Sequence, residues 1–423
     1  MLCRPADLTP SDFPVPHCTP VSDFSAIEPL IALCAGGRLY EVETSIAEGR
    51  PIQCIPPTDR KLQRRQTPLQ IAVSKGFHSL AALLLANGYN PNGDYYECLS
   101  SAVRARDHGM IDLLLRFGAD PSSFDFADAL ETYDRPLMDR FVEAGVDPCA
   151  DDAVARALRH KGRPLLGFVK TYRDRFPGLQ RQIDIALHVF VREPDEKGVA
   201  LMLWLGADPY AITPESPYTC DEPNVSHECA LIAALWSNKP AIVDQLLRKP
   251  IPPDRVEDLF RSASYHCCPK LIKQLLAAGA DPNLTEEEGG PVLESFITTL
   301  TWRFYSNDAD HDQRGLEALE LVLAAGAKWD PSTSQLRSLR RRLLDGQPAT
   351  VSKLIGLLEK YGTVSADQLH ELTRTPAIKR LLNGYAKPVR NYFGSYVAPV
   401  QVDPVSVAPT PRGGYWKRHW SQR

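Results

Sequence analysis

The chain has 423 residues and net charge −4, with 43 % hydrophobic and 24 % charged residues, the make-up of a packed protein and of neither a disordered chain nor a multi-span membrane protein. With 48 Lys and Arg against 52 Asp and Glu, a uniformly basic surface that coats nucleic acid is excluded. The 36 prolines lie scattered between apolar runs, so the chain reads as many short elements joined by turns.

The opening Met1-Leu2-Cys3-Arg4-Pro5-Ala6-Asp7 places an acid and a proline where a secretory signal needs an apolar core of about 7–15 residues. No export signal is expected. The longest apolar stretches, Leu80 to Ala86 and Ile183 to Val191, fall short of the roughly 18–20 residues that cross a bilayer, so no membrane partner is expected. Ten cysteines without a CxxC pair or a dense cluster read as reduced thiols of a cytoplasmic protein.

In chain order, an N-terminal extension over residues 1–26 precedes a first candidate helix pair, Leu30 to Gly37 and Val42 to Gly49. The next segment is the most informative. Thr67 can cap a helix, Pro68 suits its first turn, and Leu69 and Ala72 give it an apolar face. Gly76 ends that helix. A second runs from about Ser79 to Ala86 and stops at Gly88, whose freedom at positive φ suits the residue after a helix end; Asn90-Pro91 then turns the chain. The ending recurs at Gly118-Ala119-Asp120-Pro121, Gly145-Val146-Asp147-Pro148, Gly206-Ala207-Asp208-Pro209, Gly279-Ala280-Asp281-Pro282 and Gly326-Ala327.

The segment from Thr67 to Asn92 resembles an ankyrin repeat, whose signature joins Thr-Pro-Leu-His, a leucine pair and Gly-Ala-Asp. Here Gln70 stands where that signature has histidine. Steps between the landmark glycines that exceed the ~33-residue ankyrin period are expected to hide further pairs. Ala153 to His160 with Pro164 to Tyr172 forms one, and Ala230 to Trp236 with Ala241 to Leu247 forms another, with Lys249-Pro250 in place of the glycine. Leu336 to Leu344 with Ala349 to Gly362 forms a late pair, and Ser365 to Leu372 with Pro376 to Asn383 a terminal cap.

The resemblance therefore implies an all-α solenoid of ten or eleven stacked helix-turn-helix repeats over residues 27–385. Two insertions, near 210–227 and 302–314, read as loops on its edge. Residues 386–423 read as an extended Pro-rich tail with a basic and aromatic end.

The repeat register reduces most chemistry-bearing residues to structure. His188, in Ala186-Leu187-His188, falls where the family has histidine, and the resemblance implies inter-repeat hydrogen bonding. Cys220, His227, Cys229, His266, Cys267 and Cys268 have zinc-ligand chemistry without zinc-ligand spacing. Asn307 to Asp312 imitates the opening of a calcium loop, but Gln313 takes the required glycine position in the count and Leu319 the required glutamate. No metal and no cofactor is expected. Phosphate-loop, dinucleotide, serine-hydrolase and zinc-protease patterns do not occur.

The resemblance implies protein partners bound on a concave face and through the inter-repeat loops. Interface hot spots favour aromatics, which makes Tyr95, Tyr96, Phe124, Tyr210 and Trp329 candidate contacts. In the tail, Tyr415, Trp416, Lys417, Arg418 and Trp420 could dock on protein, fold back onto the acidic body, or stack on bases while the cations meet phosphates. Arg337, Arg340, Arg341 and Arg342 read as a solvated helix face. The expected role is a non-enzymatic scaffold acting as adaptor, inhibitor or immunity-type factor. Its rivals are a regulator that touches nucleic acid through the tail, and an enzyme whose site hides in the degenerate repeats near 150–180 or in the 302–314 insertion.

Overall fold

A computed structural model describes residues 20–56, 65–94, 97–160, 163–212, 229–236, 239–286, 290–302 and 309–383. Twenty-two α-helices lie among them, with three isolated β-bridges and no strand among the described residues. The chain divides into two compact units, Met1–Arg248 and Lys249–Arg423. The division falls at Lys249-Pro250, where the repeat-ending glycine is missing.

The first unit holds seven helix pairs. They are α1 (Glu28–Ala35) with α2 (Leu39–Ala47), α3 (Pro68–Ser74) with α4 (His78–Ala86), α5 (Cys98–Arg104) with α6 (His108–Arg116), and α7 (Phe126–Glu131) with α8 (Arg135–Glu143). The series continues with α9 (Ala153–Leu158) and α10 (Arg163–Tyr172), α11 (Gly178–Arg192) and α12 (Glu196–Leu205), then α13 (Ala230–Trp236) and α14 (Pro240–Leu246). The second unit has four pairs: α15 (Val256–Ser264) with α16 (Pro269–Ala277), α17 (Val292–Trp302) with α18 (Ala309–Ala324), α19 (Thr333–Leu343) with α20 (Pro348–Lys360), and α21 (Ala366–Thr373) with α22 (Pro376–Leu382).

Helices this short are marginal alone in water, and stacking supplies what they lack. In each unit the first helix of a pair packs on the first helix of the next. Second helices pack in the same way, α2 on α4 on α6, α12 on α14, and α16 on α18 on α20 on α22. The resulting spine is mainly apolar, with Leu69, Leu84, Met110, Ile111, Phe141, Phe168 and Phe190 buried in the first unit and Phe260 and Phe296 in the second. The six landmark glycines all take left-handed backbone, with φ from 86° at Gly118 to 101° at Gly206.

Helix starts follow the capping residues. Thr67, Ser332 and Ser365 each form a capping box with a glutamine three residues on. These glutamines act twice. Gln70 Oε1 accepts from the Thr67 amide at 3.0 Å. Gln335 reaches the preceding repeat by donating to Glu294 at 2.6 Å, and Gln368 does so by donating to Asp330 at 2.9 Å. An amide side chain can accept and donate together, so Gln335 and Gln368 each close their own helix start and tie it to the repeat before. Helix α9 is capped differently. Its N-cap Asp152 is left-handed and makes no side-chain cap, and Gln182 of the following pair accepts from the Ala155 amide at 3.1 Å instead.

Two expectations change. The 302–314 stretch is not all loop, because helix α18 begins at Ala309. Asp312 is buried there with Leu316, Leu319 and Leu323, and the Thr350 hydroxyl donates to it at 3.2 Å. A calcium loop needs irregular backbone, so the part of the aspartate run from 309 onward serves the helix. His188 is buried as a structural residue, yet its Nδ1 has no hydrogen-bond partner. The reason is that α11 starts ten residues earlier, at Gly178, so the amides around His188 are already inside a helix.

Candidate partner-binding surface

The loops after each repeat end are fixed by their own side chains. Asp120, Asp147, Asp208 and Asp281 each accept from the amide two residues on, at 2.8–2.9 Å. This is the Asx-turn that an Asp-Pro-x sequence favours. Neighbouring loops are then clamped together. Asn92 donates to the Gly118 carbonyl at 2.8 Å and accepts from the Asp120 amide at 2.9 Å. Asn283 repeats the device on Gly326, at 3.4 Å, and Lys328, at 2.9 Å. Gln53 does the same with both backbone groups of Asn90, each at 3.0 Å.

Three of the expected aromatic contacts face inward. Phe124 is buried with its ring centroid 4.5 Å from that of Phe141. Tyr210 is buried, and burial, with the nearby Cys229 and Asp208, pushes its phenol up to about 12. Trp329 is also buried. Each lies just past a repeat-end loop and is turned into the protein, Phe124 onto the following helix pair. Tyr95, Tyr96, Tyr415, Trp416, Lys417, Arg418 and Trp420 lie outside the described residues, as do Cys220 and His227.

The exposed aromatics are others, chiefly Tyr40 at 78 %, Trp204 at 60 % and Trp302 at 64 % exposure. Trp204 could have been found by comparing copies. Two residues before the repeat-end glycine the other repeats have Ala86, Arg116, Glu143, Ala277 and Ala324, and only this copy has a large ring.

Thiol chemistry is muted. Burial pushes Cys34 up to about 11, and burial beside Asp147 pushes Cys149 up to about 12. A thiol needs a lowered pKa to serve as nucleophile. Among the described residues no three His, Cys, Asp or Glu side chains lie close enough to hold a metal ion, and no helix is long and apolar enough to cross a membrane.

No protein-family model matches the chain. A stretch of 115 residues, 25 % of this chain, is 32 % identical to ankyrin repeat and SOCS box protein 14 of Mus musculus and covers 19 % of that protein. The chain thus spans about a fifth of the length of the curated relative that it matches. Among solved structures it is similar to the human ASB11 ankyrin repeat domain, at 17 % identity over 72 % of this chain and 100 % of that one, with TM-score 0.26. The ankyrin repeat domain of Bcl-3, described as a member of the IkappaB family, matches at 21 % identity over 63 % of this chain and 92 % of that one, with TM-score 0.20. Paired helices that stack in series and end in Gly-Ala-Asp-Pro loops define the class, a helical repeat protein. Over the matched stretch the chain is similar to an ankyrin repeat protein.

Proposed function

We propose that the protein is a non-enzymatic scaffold of the cytoplasm that binds other proteins through its repeats, as an adaptor, an inhibitor or an immunity-type factor. The observation that carries this reading is the combination of loops tied into register by Asn92, Asn283 and Gln53 with aromatic rings left exposed on the repeats. Fixed loops and ready-made aromatic anchors lower the ordering cost of association. The ankyrin repeats of the mouse relative support the same role. Affinity purification of the full-length protein from its native host, with cross-linking and mass spectrometry, tests it. Protein partners cross-linked to the repeats are the expected result, and recovery of none above a bait-free control would remove the reading. A chain lacking residues 387–423 separates the rival: salt-dependent DNA or RNA binding that disappears with the tail would favour a nucleic-acid regulator.

A further inference from the structure

Residues 153–192 contain nine Lys and Arg against only Asp174 and Asp184, in a chain that is acidic as a whole. Several of these cations are neutralised locally, Arg156 by Asp125, Arg159 by Glu193 and Arg181 by Asp152. Lys170, Arg173 and Arg175 have no carboxylate at ion-pair distance among the described residues.

Two of them are nonetheless held in place. Arg173 donates through Nη1 to the Leu205 carbonyl at 3.0 Å and through Nη2 to Gln180 Oε1, both neutral acceptors. The guanidinium is fixed by these bonds, and its charge also acts on the nearby Asp184 carboxyl, which it partly holds down. The bare Gly206 makes room for it, since a Cβ there would lie 2.8 Å from Arg173 Nη1. The Lys170 ammonium sits 3.7 Å from the centroid of the Trp204 ring, an attraction that uses one face of the indole. The remainder of that ring is open to solvent. Arg175 follows in the same loop, its guanidinium 5.2 Å from the Phe176 ring centroid.

From this geometry we propose that Lys170, Arg173 and Trp204 form a docking site for an acidic polypeptide segment, with carboxylates on the two cations and an apolar side chain on the open part of the indole. The proposal rests on the protein-binding reading above and names the chemistry of one partner. Charge complementarity selects the occupant. Two pre-positioned cations beside an aromatic suit a short run of Asp or Glu next to an apolar residue. A nucleic-acid strand carries a phosphate at every residue, more negative charge than a few cations beside one ring can meet.

The test uses the full-length protein and fluorescence anisotropy with three labelled probes: a dodecapeptide of Glu, Asp and Leu, its Gln, Asn and Leu counterpart, and a single-stranded DNA dodecamer. Lys170→Glu and Trp204→Ala change exposed side chains, and an unchanged melting temperature confirms that each variant is folded. The acidic peptide is expected to bind at least tenfold more tightly than the neutral one and to lose at least tenfold in each variant. Equal affinity for the two peptides, indifference to both substitutions, or tighter binding of DNA would each overturn the proposal. The host purification repeated with Lys170→Glu keeps the two readings apart. Partners retained equally by wild type and variant sink this site alone, whereas no partners with wild type sinks the scaffold reading.

Discussion

Asp184 and His188 stand one turn apart on α11, both buried, and their surroundings move the two groups in opposite directions. Burial raises the Asp184 carboxyl to about 6, although the Asp208 amide and Gln180 donate to it, each at 2.8 Å. Burial, helped by the Arg192 charge, lowers the His188 imidazole to about 4. At pH 5 both side chains are therefore mostly uncharged, and each responds to pH with its own sign.

For Asp184 the folded state holds the proton more tightly than the unfolded chain. Its contribution is fully present below about pH 4 and is lost as pH rises through about 6, a change on the order of 3 kcal/mol. Asp184→Asn keeps a carbonyl acceptor for the Asp208 amide without the buried charge. Urea midpoints measured from pH 4 to pH 7 should show the variant gaining on wild type as pH rises. Parallel profiles would show that the carboxylate is better compensated than this geometry implies.

His188 carries the reverse sign. The unfolded chain takes up a proton near pH 6.5 and the folded one only near 4, so stability falls as pH drops through that window. At neutral pH a further cost remains, because Nδ1 is buried without a hydrogen-bond partner. His188→Leu removes both effects and should raise stability by about 1 kcal/mol at pH 7, with a larger gain at pH 5. A lower melting temperature for the variant at both pH values would contradict the assignment.

Arg106 closes the turn between α5 and α6 with φ of 55°, where the equivalent turn between α3 and α4 uses Gly76 at 67°. Left-handed backbone costs a non-glycine residue about 1–2 kcal/mol, and the Arg106 side chain is exposed. Arg106→Gly should stabilise the protein by up to about 1 kcal/mol after the extra flexibility of an unfolded glycine is subtracted. The comparison is a melting curve against wild type, and destabilisation would mean that the arginine makes a contact worth more than the strain.

The loop clamps invite a graded test. Asn283→Ala removes both bonds to the neighbouring loop and should cost about 1–3 kcal/mol. Asn283→Asp keeps the acceptor for the Lys328 amide and discards only the donor, so a smaller loss is expected. Hydrogen exchange at the Lys328 amide reports the effect locally: faster in the alanine variant and nearly unchanged in the aspartate one. Equal exchange in all three proteins would show that Asn283 does not hold this loop.

Most of the helix pairs were legible because glycine and proline mark their ends and apolar residues mark one face. Even the degenerate pair at α9 and α10 followed from that spacing. The start of α11 did not. Matching His188 to the histidine of the repeat signature puts a helix start near Ala186, yet Leu179 and Ile183 carry the buried stripe back to Gly178. The Asp-rich start of α18 was obscured for the opposite reason, since Asp312 is polar by type but buried by position. The loop aromatics misled because their place in the chain does not say which way they turn. Phe124 finds Phe141, whereas Trp204, inside a leucine-rich helix end, points to solvent.

The cap that Gln182 lends to α9 dictates where the polypeptide tolerates being divided. A fragment ending at Pro177 contains every residue of α9 and still leaves the Ala155 amide without its acceptor. Expression boundaries chosen from helix limits alone would fray that helix, and a shortened version of this protein has to run beyond residue 182 to keep the fifth pair intact.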